Sequence, residues 1–336
     1  MRKFVLAADI GATKTNLGLF HAMEDGLQRE IVINFKSCGE DDFIDRAKAF
    51  VAANMVSEGL AAVCFGVAGP VINGEVVATN LGLKLKTKDL RREFGCDNLC
   101  LVNDLFATAA AVSVLDDSDF VTLQPGNHLE SGTDVNAAIM APGTGLGMAF
   151  IVDGQRLEII SSEGGHADFA PRNEVELSLW RYFKRHFDRV SRERLLSGLG
   201  LVHIFTWLRQ CRSEGVSEVT ASWSSIPDVT AAEVVTAADS GDDLACEALA
   251  LFTSILGGVA GDLALTGMTA GGLYLAGGIP AKIIRYLRQG QFLTSFNAKG
   301  RMSSWMEGVP VKIILNSEAA LLGAARIARE RYRLSG

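Results

Sequence analysis

The stretch VLAADIGATKTNLGLF, from Val5 to Phe20, sets the pattern that the rest of the chain follows. It predicts two apolar strands, Phe4–Ala8 and Leu17–Phe20, joined by a turn that contains Gly11. Glycine permits positive φ and a close approach of the backbone to a ligand, so several N–H groups can converge on an anion, and threonine hydroxyls add donors. The stretch therefore predicts a β-hairpin whose turn binds an anion such as phosphate.

A second stretch of the same design, NAAIMAPGTGLGMAFIVDG, begins at Asn136. Again an apolar strand, a turn of Gly and Thr, and a second apolar strand follow one another. The two stretches also share Leu-Gly after the turn, which indicates an ancient duplication.

Neither turn matches the best-known nucleotide loops. A Walker A loop has Gly before Lys-Ser/Thr and leads into a helix, whereas Lys14-Thr15 follows Thr13 and leads into a strand. The second turn spaces its glycines as G-x-G-x-G and also leads into a strand, so the dinucleotide fingerprint fails. A pair of anion-binding hairpins remains, and an ordinary β-turn is the structural alternative for either turn taken alone.

Composition narrows the class of protein. A chain of 336 residues that is 48% hydrophobic favours two ordered α/β domains. The net charge of −7, with dispersed Lys and Arg, argues against nucleic acid as a partner. The short apolar run before Asp9 is not a signal peptide, and no membrane-spanning run is expected, which predicts a cytoplasmic protein. The scattered cysteines argue against zinc and disulfides.

Polar residues follow another apolar strand at Asn103 and Asp104, in NLCLVND, before the small-residue segment LFATAAAVSVL. The junction of a strand with a helix is the edge where open α/β sheets bind ligands. Asp104 is therefore a candidate for chemistry, and a simple N-cap of the helix is the structural alternative.

Two helix boundaries are also predicted. A helix over Asp41–Ser57 has Asp42 as its N-cap, and a C-terminal helix in NSEAALLGAARIARERY is capped by Asn316 or Ser317.

At this point the chain resembles the bacterial-type glucokinase family. The resemblance rests on ADIGATKTNLGLF, VND and APGTGLGMAF, and most specifically on EGGHADFAP and SRERLLSGLGLV, followed by YLAGGIP and EAALLGAA in the family's order. It covers essentially the whole chain.

The resemblance implies an α/β, two-lobed actin-like ATPase fold, built of ribonuclease H-like duplicated domains with a central cleft. The small lobe would comprise residues 1–114 plus 315–336, and the large lobe residues 115–314. The implied activity is ATP-dependent phosphorylation of the 6-hydroxyl of D-glucose, in a homodimer.

The resemblance also implies roles for individual residues. Asp104 would be the general base, and the sugar would be held by Asn103, Asp104, Glu163, His166 and Glu193. The nucleotide would contact Asp9, Ile10, Gly11, Ala12, Thr13, Lys14, Gly143, Thr144, Gly145, Gly277 and Gly278. Asp9 has the hard oxygen ligands that Mg²⁺ prefers, and would hold it through water.

Two departures from the family pattern leave alternatives open: Ala12 replaces a common Gly, and Leu83 stands where a Trp is common. The related repressor/ORF/kinase group has a Cys-rich zinc motif after its Gly-His element, and no Cys follows His166 in GGHADFAPRNEVE, which favours a metal-free glucokinase over that group. A kinase for another hexose and a non-catalytic sugar-sensing regulator are the alternative functions. The sequence does not decide among ATP, ADP and polyphosphate as donor.

Overall fold

The computed structural model describes residues 3–24, 26–55, 59–78, 82–127, 136–153, 157–213 and 228–335. They divide into two compact units: unit 1 contains Met1–Asp119 and Asn316–Gly336, and unit 2 contains Phe120–Leu315. Unit 1 is discontinuous, because the C-terminal segment returns to it. The domain boundaries inferred from the sequence stay a prediction, since a compact unit need not fold by itself.

Unit 1 is built on a five-stranded sheet in the order β3-β2-β1-β4-β8, with a small sheet β5-β6-β7 beside it. The strands are β1 Phe4–Ile10, β2 Lys14–Ala22, β3 Leu27–Lys36, β4 Leu60–Val67, β5 Val71–Ile72, β6 Glu75–Ala78, β7 Leu83–Lys86 and β8 Leu99–Asn103. The helices are α1 Glu40–Asn54, α2 Thr87–Phe94, α3 Asp104–Ala111 and α13 Ala319–Ser335. β1, β2 and β3 form an antiparallel meander, and β4 and β8 continue the sheet parallel to β1.

The continuous apolar run of β1 follows from its burial on both faces. Leu6 and Ala8 belong to a core that includes Phe43 of α1. Val5 and Ala7 point the other way, into a core formed with α13 and α3. A strand at the middle of a covered sheet needs apolar residues at every position.

Unit 2 has a six-stranded sheet in the order β12-β11-β10-β13-β14-β9. The strands are β9 Phe120–Gln124, β10 Ala137–Pro142, β11 Leu146–Asp153, β12 Leu157–Ser162, β13 Gly272–Leu275 and β14 Val311–Ile314. The helices are α4 Glu174–Lys184, α5 Arg192–Leu195, α6 Gly198–Ser213, α7 Ala231–Asp239, α8 Asp243–Gly267, α9 Gly278–Lys282, α10 Ile284–Leu287, α11 Gln291–Asn297 and α12 Ser303–Glu307.

The two sheets repeat one strand order. In unit 2 the antiparallel meander β10-β11-β12 is extended by the parallel strands β13 and β14, just as the meander of unit 1 is extended by β4 and β8. Both predicted hairpins, β1–β2 and β10–β11, are therefore confirmed, and each opens its sheet's meander.

The long helix α8 is apolar enough to cross a membrane by length and composition, yet 72% of its most apolar 18-residue window is buried within the protein. It packs against α11, α6 and α7. The same test is passed by helices that form a protein core, and α8 contributes Phe252 and Leu256 to the main core of unit 2.

The predicted helix α1 is confirmed, but its predicted N-cap, Asp42, is wrong, and its predicted end, Ser57, lies outside the described residues. The helix begins at Glu40, its N-cap is Gly39, and no side chain caps it. Asp42 lies in the first turn with two other acidic residues, where the helix dipole favours negative charge. At the C-terminal helix, Asn316 does accept a hydrogen bond from the Glu318 backbone N–H (2.8 Å).

Candidate active site

The first Gly-Thr turn is closed by its own backbone and tied to the end of β3. The Gly11 N–H donates to the Lys14 carbonyl oxygen (3.1 Å). Ser37 binds the turn twice: its hydroxyl donates to the Gly11 carbonyl (2.6 Å), and its N–H donates to the Thr13 carbonyl (3.1 Å). Ala12 is exposed and has no positive φ, so its Cβ is compatible with the turn.

Asp9 precedes this turn and is partly withdrawn from water. Burial raises the pKa of its carboxyl to about 6, against a hydrogen bond from Asn16 that lowers it, and the nearby Asp104 charge raises it further. The Asn16 amide donates to Asp9 Oδ2 (3.3 Å), and the two residues are register partners in the hairpin. A carboxyl group with this pKa ionises near neutral pH.

Asn103 and Asp104 lie at the end of β8, at the same edge of the sheet as Asp9. Asn103 is the N-cap of α3: its side-chain oxygen accepts from the Leu105 N–H (2.9 Å), and its amide donates to the Gly69 carbonyl (3.0 Å). Asp104 is the first residue of α3, and burial raises the pKa of its carboxyl. Asp104 Oδ1 also accepts a hydrogen bond from the Leu105 N–H (2.9 Å), so the Asp104 carboxylate contributes to the cap of α3 as well as lying at the sheet edge.

Gly66 makes room for this arrangement, and no sequence motif marks it as part of the site. It lies in β4, between β1 and β8. A Cβ placed on Gly66 would lie 3.3 Å from the Ala107 Cβ and 3.9 Å from the Asp104 Cα. A side chain at this position would therefore press on the start of α3.

The second Gly-Thr turn is held by two segments that follow it much later in the chain. The Gly143 N–H donates to the Gly145 carbonyl (2.8 Å), and the Gly143 carbonyl accepts from the Gly198 N–H (2.9 Å). Glu193 Oε2 accepts from the Leu146 N–H at 2.9 Å. Glu193, which is predicted to bind the sugar, thus contacts the backbone of a turn that is predicted to bind phosphate.

The glycines of this turn do not use positive φ. A Cβ on Gly145 would lie 2.6 Å from Glu193 Oε2, so a larger residue there would displace the end of the Glu193 side chain. A Cβ on Gly143 would meet no described atom within 4 Å. Internal packing therefore does not explain Gly143, which leaves room above the turn for a ligand.

Glu163 and His166 flank a short 3₁₀ helix, Gly164–His166, after β12. Glu163 Oε2 lies 3.8 Å from His166 Nε2, and the two side chains are 84% and 58% exposed. Gly165 is packed so tightly that a Cβ there would overlap the Leu146 carbonyl oxygen. The tight turn therefore places two exposed polar side chains beside the second Gly-Thr turn.

Backbone pairing brings this helix close to Glu193. Phe169 N–H donates to the Val190 carbonyl (2.9 Å), and Arg192 N–H donates to the Ala167 carbonyl (3.0 Å). The two most specific motifs of the sequence, EGGHADFAP and SRERLLSGLGLV, are thus neighbours in unit 2.

Gly277 and Gly278 lie at the end of β13, next to the end of β10. The Ala276 N–H donates to the Met140 carbonyl (2.9 Å). Gly277 has φ 85°, and a Cβ there would lie 3.0 Å from the Pro142 carbonyl oxygen. The carboxyl ends of these two parallel strands thus place the predicted adenosine and phosphate contacts side by side.

A cavity of ≈ 90 Å³ in unit 2 is lined by Thr144, Glu193 and His203 among others. Burial lowers the pKa of His203 to about 4, so its imidazole is neutral at physiological pH. The volume of this cavity is sufficient for water molecules but not for a nucleotide or a sugar.

The structure thus collects the predicted residues into two groups. Asp9, Ile10, Gly11, Ala12, Thr13, Lys14, Asn103 and Asp104 lie in unit 1, and Gly143, Thr144, Gly145, Glu163, His166, Glu193, Gly277 and Gly278 lie in unit 2. Among the residues that the structure describes, no group of three or more His, Cys, Asp or Glu side chains could hold a metal ion.

Comparisons with known proteins identify the family of the chain. The Glucokinase family model matches residues 6–331. A glucokinase from Trichormus variabilis is 38% identical over 340 residues, which cover 96% of this chain and 98% of that protein. The solved glucokinase from an Antarctic psychrotroph is 28% identical, with a TM-score of 0.85 over 98% of this chain and 99% of that one.

A more distant structure has a similar fold. It is a ROK-family glucokinase from Streptomyces griseus, solved in complex with glucose and AMPPNP, with 20% identity and a TM-score of 0.59 over 97% of this chain and 99% of that chain. The repeated strand order and these likenesses confirm the expected actin-like ATPase fold. The chain belongs to the glucokinase family.

Proposed function

We propose that this protein transfers the γ-phosphoryl group of ATP to the 6-hydroxyl of D-glucose. The observation that carries the proposal is the position of Asp104, a desolvated carboxylate at the sheet edge that also bears the first Gly-Thr turn. Membership in the glucokinase family supports the same reaction. Asp104 is the general base.

Burial gives Asp104 a property that a base needs. Its raised pKa brings the carboxylate closer to the pH at which it works, and a general base is most effective when its pKa lies near the operating pH. Phosphoryl transfer requires mainly positioning and charge neutralisation. Asp104 orients the sugar hydroxyl towards the phosphorus and accepts its proton as the new O–P bond forms.

Four polar side chains would contact the sugar besides Asp104. Glu163, Glu193 and His166 supply acceptors and an imidazole for vicinal hydroxyls, which each donate and accept hydrogen bonds. Asn103 uses its oxygen and one amide N–H internally, so the second amide N–H is the donor it offers to the sugar.

The nucleotide contacts follow the two turns. Backbone N–H groups of residues 11–14 and 143–145 bind the phosphates, and Gly277 and Gly278 lie by the adenosine; a Cβ on Gly278 would meet no described atom within 4 Å. Asp9 and the phosphates would hold Mg²⁺, since the ionised carboxylate of Asp9, whose pKa is about 6, supplies a hard oxygen donor. When bound, the ion neutralises charge on the phosphates.

Neither alternative function is favoured by a specific observation. The case for another hexose depended on Leu83, but Leu83 is 1% exposed and belongs to the unit 1 core, so it is not placed to contact a sugar. The regulator alternative would leave the desolvated Asp104 without a chemical role.

A matrix of hexoses against phosphoryl donors tests the proposal directly. We expect glucose with ATP to give the highest kcat/KM in a coupled assay among glucose, mannose, fructose and glucosamine, with ATP, ADP and polyphosphate as donors. A much higher kcat/KM for another hexose would overturn the substrate, and glucose binding without turnover in any combination would favour the regulator.

The variant Asp104→Asn tests the base separately. Its kcat should fall by about 10²- to 10⁴-fold, while glucose affinity stays within a few-fold of the parent value, because Asn keeps the shape and loses the proton acceptor. Near-normal turnover would remove Asp104 from the role of base. The homodimer and the cytoplasmic location stay predictions, and sedimentation velocity measures the first.

A further inference from the structure

The hydroxyl of Ser37 forms a chain of two hydrogen bonds behind the first Gly-Thr turn. Its oxygen lies 2.6 Å from the Gly11 carbonyl oxygen and 2.9 Å from the Thr15 hydroxyl oxygen. A carbonyl can only accept, so the single hydroxyl proton of Ser37 goes to Gly11, and the Thr15 hydroxyl donates to Ser37. Thr15 is 1% exposed, so this chain runs on the inner side of the turn.

The same chain excludes Thr15 from the role that its position suggests. In a Walker loop the Ser or Thr that follows the lysine places its hydroxyl on Mg²⁺. Thr15 follows Lys14, but its hydroxyl is buried and bonded to Ser37. Thr15 therefore supports the turn from inside and is not a metal ligand.

The backbone of Ser37 holds the turn at a second carbonyl. The Ser37 N–H donates to the Thr13 carbonyl oxygen at 3.1 Å. The register of β2 and β3 fixes this bond, because Lys14 pairs with Lys36, the residue before Ser37. One residue thus binds two alternate carbonyls of the turn, those of Gly11 and Thr13.

These two bonds determine where two N–H groups of the turn point. In a trans peptide the carbonyl and the N–H of the next residue point in opposite directions, and the described residues contain no cis peptide bond. The Gly11 and Thr13 carbonyls point towards Ser37. The N–H groups of the same two peptides, those of Ala12 and Lys14, therefore point away from it.

The side of the turn that faces away from Ser37 is open. Ala12, Thr13 and Lys14 are exposed, whereas Ser37 is half-buried. The Gly11 N–H is not available on this side, because it closes the turn on the Lys14 carbonyl. N–H groups presented together by a turn bind anions such as phosphate.

The second Gly-Thr turn has support of the same kind from a different donor. The Gly143 carbonyl accepts from the N–H of Gly198, the first residue of α6 (2.9 Å). The Thr144 N–H belongs to the same peptide and therefore points away from Gly198. Both turns are thus held by their carbonyls, but only in the first does a side chain supply one of the donors, so there a substitution can remove it.

We infer that Ser37 is a positioning residue for ATP, which holds the Ala12 and Lys14 N–H groups towards the phosphates without touching the nucleotide. The inference rests on the proposed function, since it takes the first turn as a phosphate site. Loss of the hydroxyl would free the Gly11 carbonyl and leave the Thr13 carbonyl bonded to the backbone of residue 37. The Ala12 N–H would then lose its fixed direction while the turn keeps its second bond.

The test compares Ser37→Ala with Ser37→Thr, which keeps a hydroxyl at the same position. Ser37→Ala should raise the KM and the Kd for ATP by about tenfold, as expected when one hydrogen bond to a charged group is weakened. Its kcat and its KM for glucose should stay within about threefold, because a contact that is equal in the ground and transition states affects binding alone. Ser37→Thr should restore the parental values.

Thr87→Val is the matched control. The Thr87 hydroxyl also donates to a glycine carbonyl of unit 1, that of Gly74 (2.9 Å), in a turn that carries none of the candidate site residues. Its loss should cost a similar amount of stability and leave the Kd for ATP within about threefold of the parent value. Thermal unfolding of the three variants shows that each retains the fold.

Calorimetric titration with ATP and Mg²⁺ gives the Kd without turnover, so it separates this inference from the proposed reaction. A parental Kd in Ser37→Ala would overturn the inference, as would equal weakening by Ser37→Thr or by Thr87→Val. A parent protein that binds no ATP would overturn both the inference and the proposed function. A parent that binds ATP and phosphorylates no glucose would contradict the reaction alone, and the Kd values would still decide the role of Ser37.

Discussion

At the scale of single residues, the burial of Asp9 lowers the stability of the folded protein when its carboxyl is ionised. A carboxylate moved from water into a partly buried position is destabilised, and the nearby Asp104 adds like charge. The folded pKa of about 6 exceeds the unfolded value of 3.8. The folded state therefore binds more protons between these two values, and this group makes the protein less stable as the pH rises through that window.

The variant Asp9→Asn should be more stable than the parent at pH 8, by up to about 3 kcal/mol for a shift of about two pKa units. Near pH 4, where Asp9 is protonated in the folded state, most of this advantage should disappear. Urea unfolding at the two pH values measures the difference.

Asp97→Asn is the control for this experiment, since Asp97 is an exposed carboxylate of the same unit. It should change the free energy of unfolding little at either pH. An Asp9→Asn effect of equal size at pH 4 and pH 8 would contradict the assignment of the shift to desolvation.

The residues of the first turn should differ in importance. Lys14 is exposed and its backbone, not its ammonium, closes the turn. We therefore expect Lys14→Ala to lower kcat/KM for ATP less than Thr13→Val, which removes a phosphate donor, or Asp9→Ala, which removes the proposed metal ligand. Steady-state kinetics at saturating glucose measure the order. The reverse order would restore a Walker-like role for the lysine.

At the scale of elements, Gly165 of the 3₁₀ helix is needed for packing, whereas Gly143 of the second turn leaves space for a ligand. Gly165→Ala should lower the free energy of unfolding by about 1–3 kcal/mol or more, because its Cβ overlaps the Leu146 carbonyl. Gly143→Ala should leave stability within about 0.5 kcal/mol, because its Cβ meets open space.

Gly143→Ala should affect activity although it leaves stability unchanged. We expect it to raise the KM for ATP by roughly tenfold, because its methyl group would occupy the space of a phosphate. Thermal unfolding and kinetics on both variants give the two readouts. A Gly143→Ala protein with parental ATP kinetics would show that the turn does not approach the nucleotide.

The sequence predicts elements whose signal is local. The hairpins were predictable because each is one apolar strand, a Gly-Thr turn and another strand. The partnership of Asp9 with Asn16 could also have been found, since pairing across the turn fixes the register. The helix start at Glu40 was missed because three consecutive acidic residues give equivalent capping signals.

Contacts between distant segments left no such signal. Ser37 binds a turn that lies 26 residues earlier, and Glu193 binds the Leu146 amide, 47 residues earlier. Serine and glutamate are common surface residues, so only the folded chain shows that these two hold the Gly-Thr turns. Gly66 also has no sequence signal, because its role is to leave space for the start of α3.

At the scale of the whole molecule, unit 1 depends on both ends of the chain. Helix α13 covers one face of its sheet, against β1 and β4, and a Cβ on Gly323 would overlap the Ala107 carbonyl of α3. Arg29 of β3 also pairs with Glu318 just before α13 (2.7 Å). The last residues are therefore part of the first unit's core.

A chain that lacks residues 316–336 should keep unit 2 folded and lose unit 1. Hydrogen exchange should remain slow in β10 and β13 and become fast in β1 and β4, because the face that includes Val5 and Cys64 loses its cover. Persistent protection of β1 in the shortened chain would show that the sheet is stable without α13.

The return of α13 has a consequence for synthesis on the ribosome. After Asp119, the ribosome must add the whole of Phe120–Leu315 before the closing helix can emerge. At about 5–20 residues per second this takes roughly 10–40 seconds. During that interval the newborn N-terminal strands carry an uncovered apolar face, so the nascent chain is a natural client for chaperones that bind at the tunnel exit.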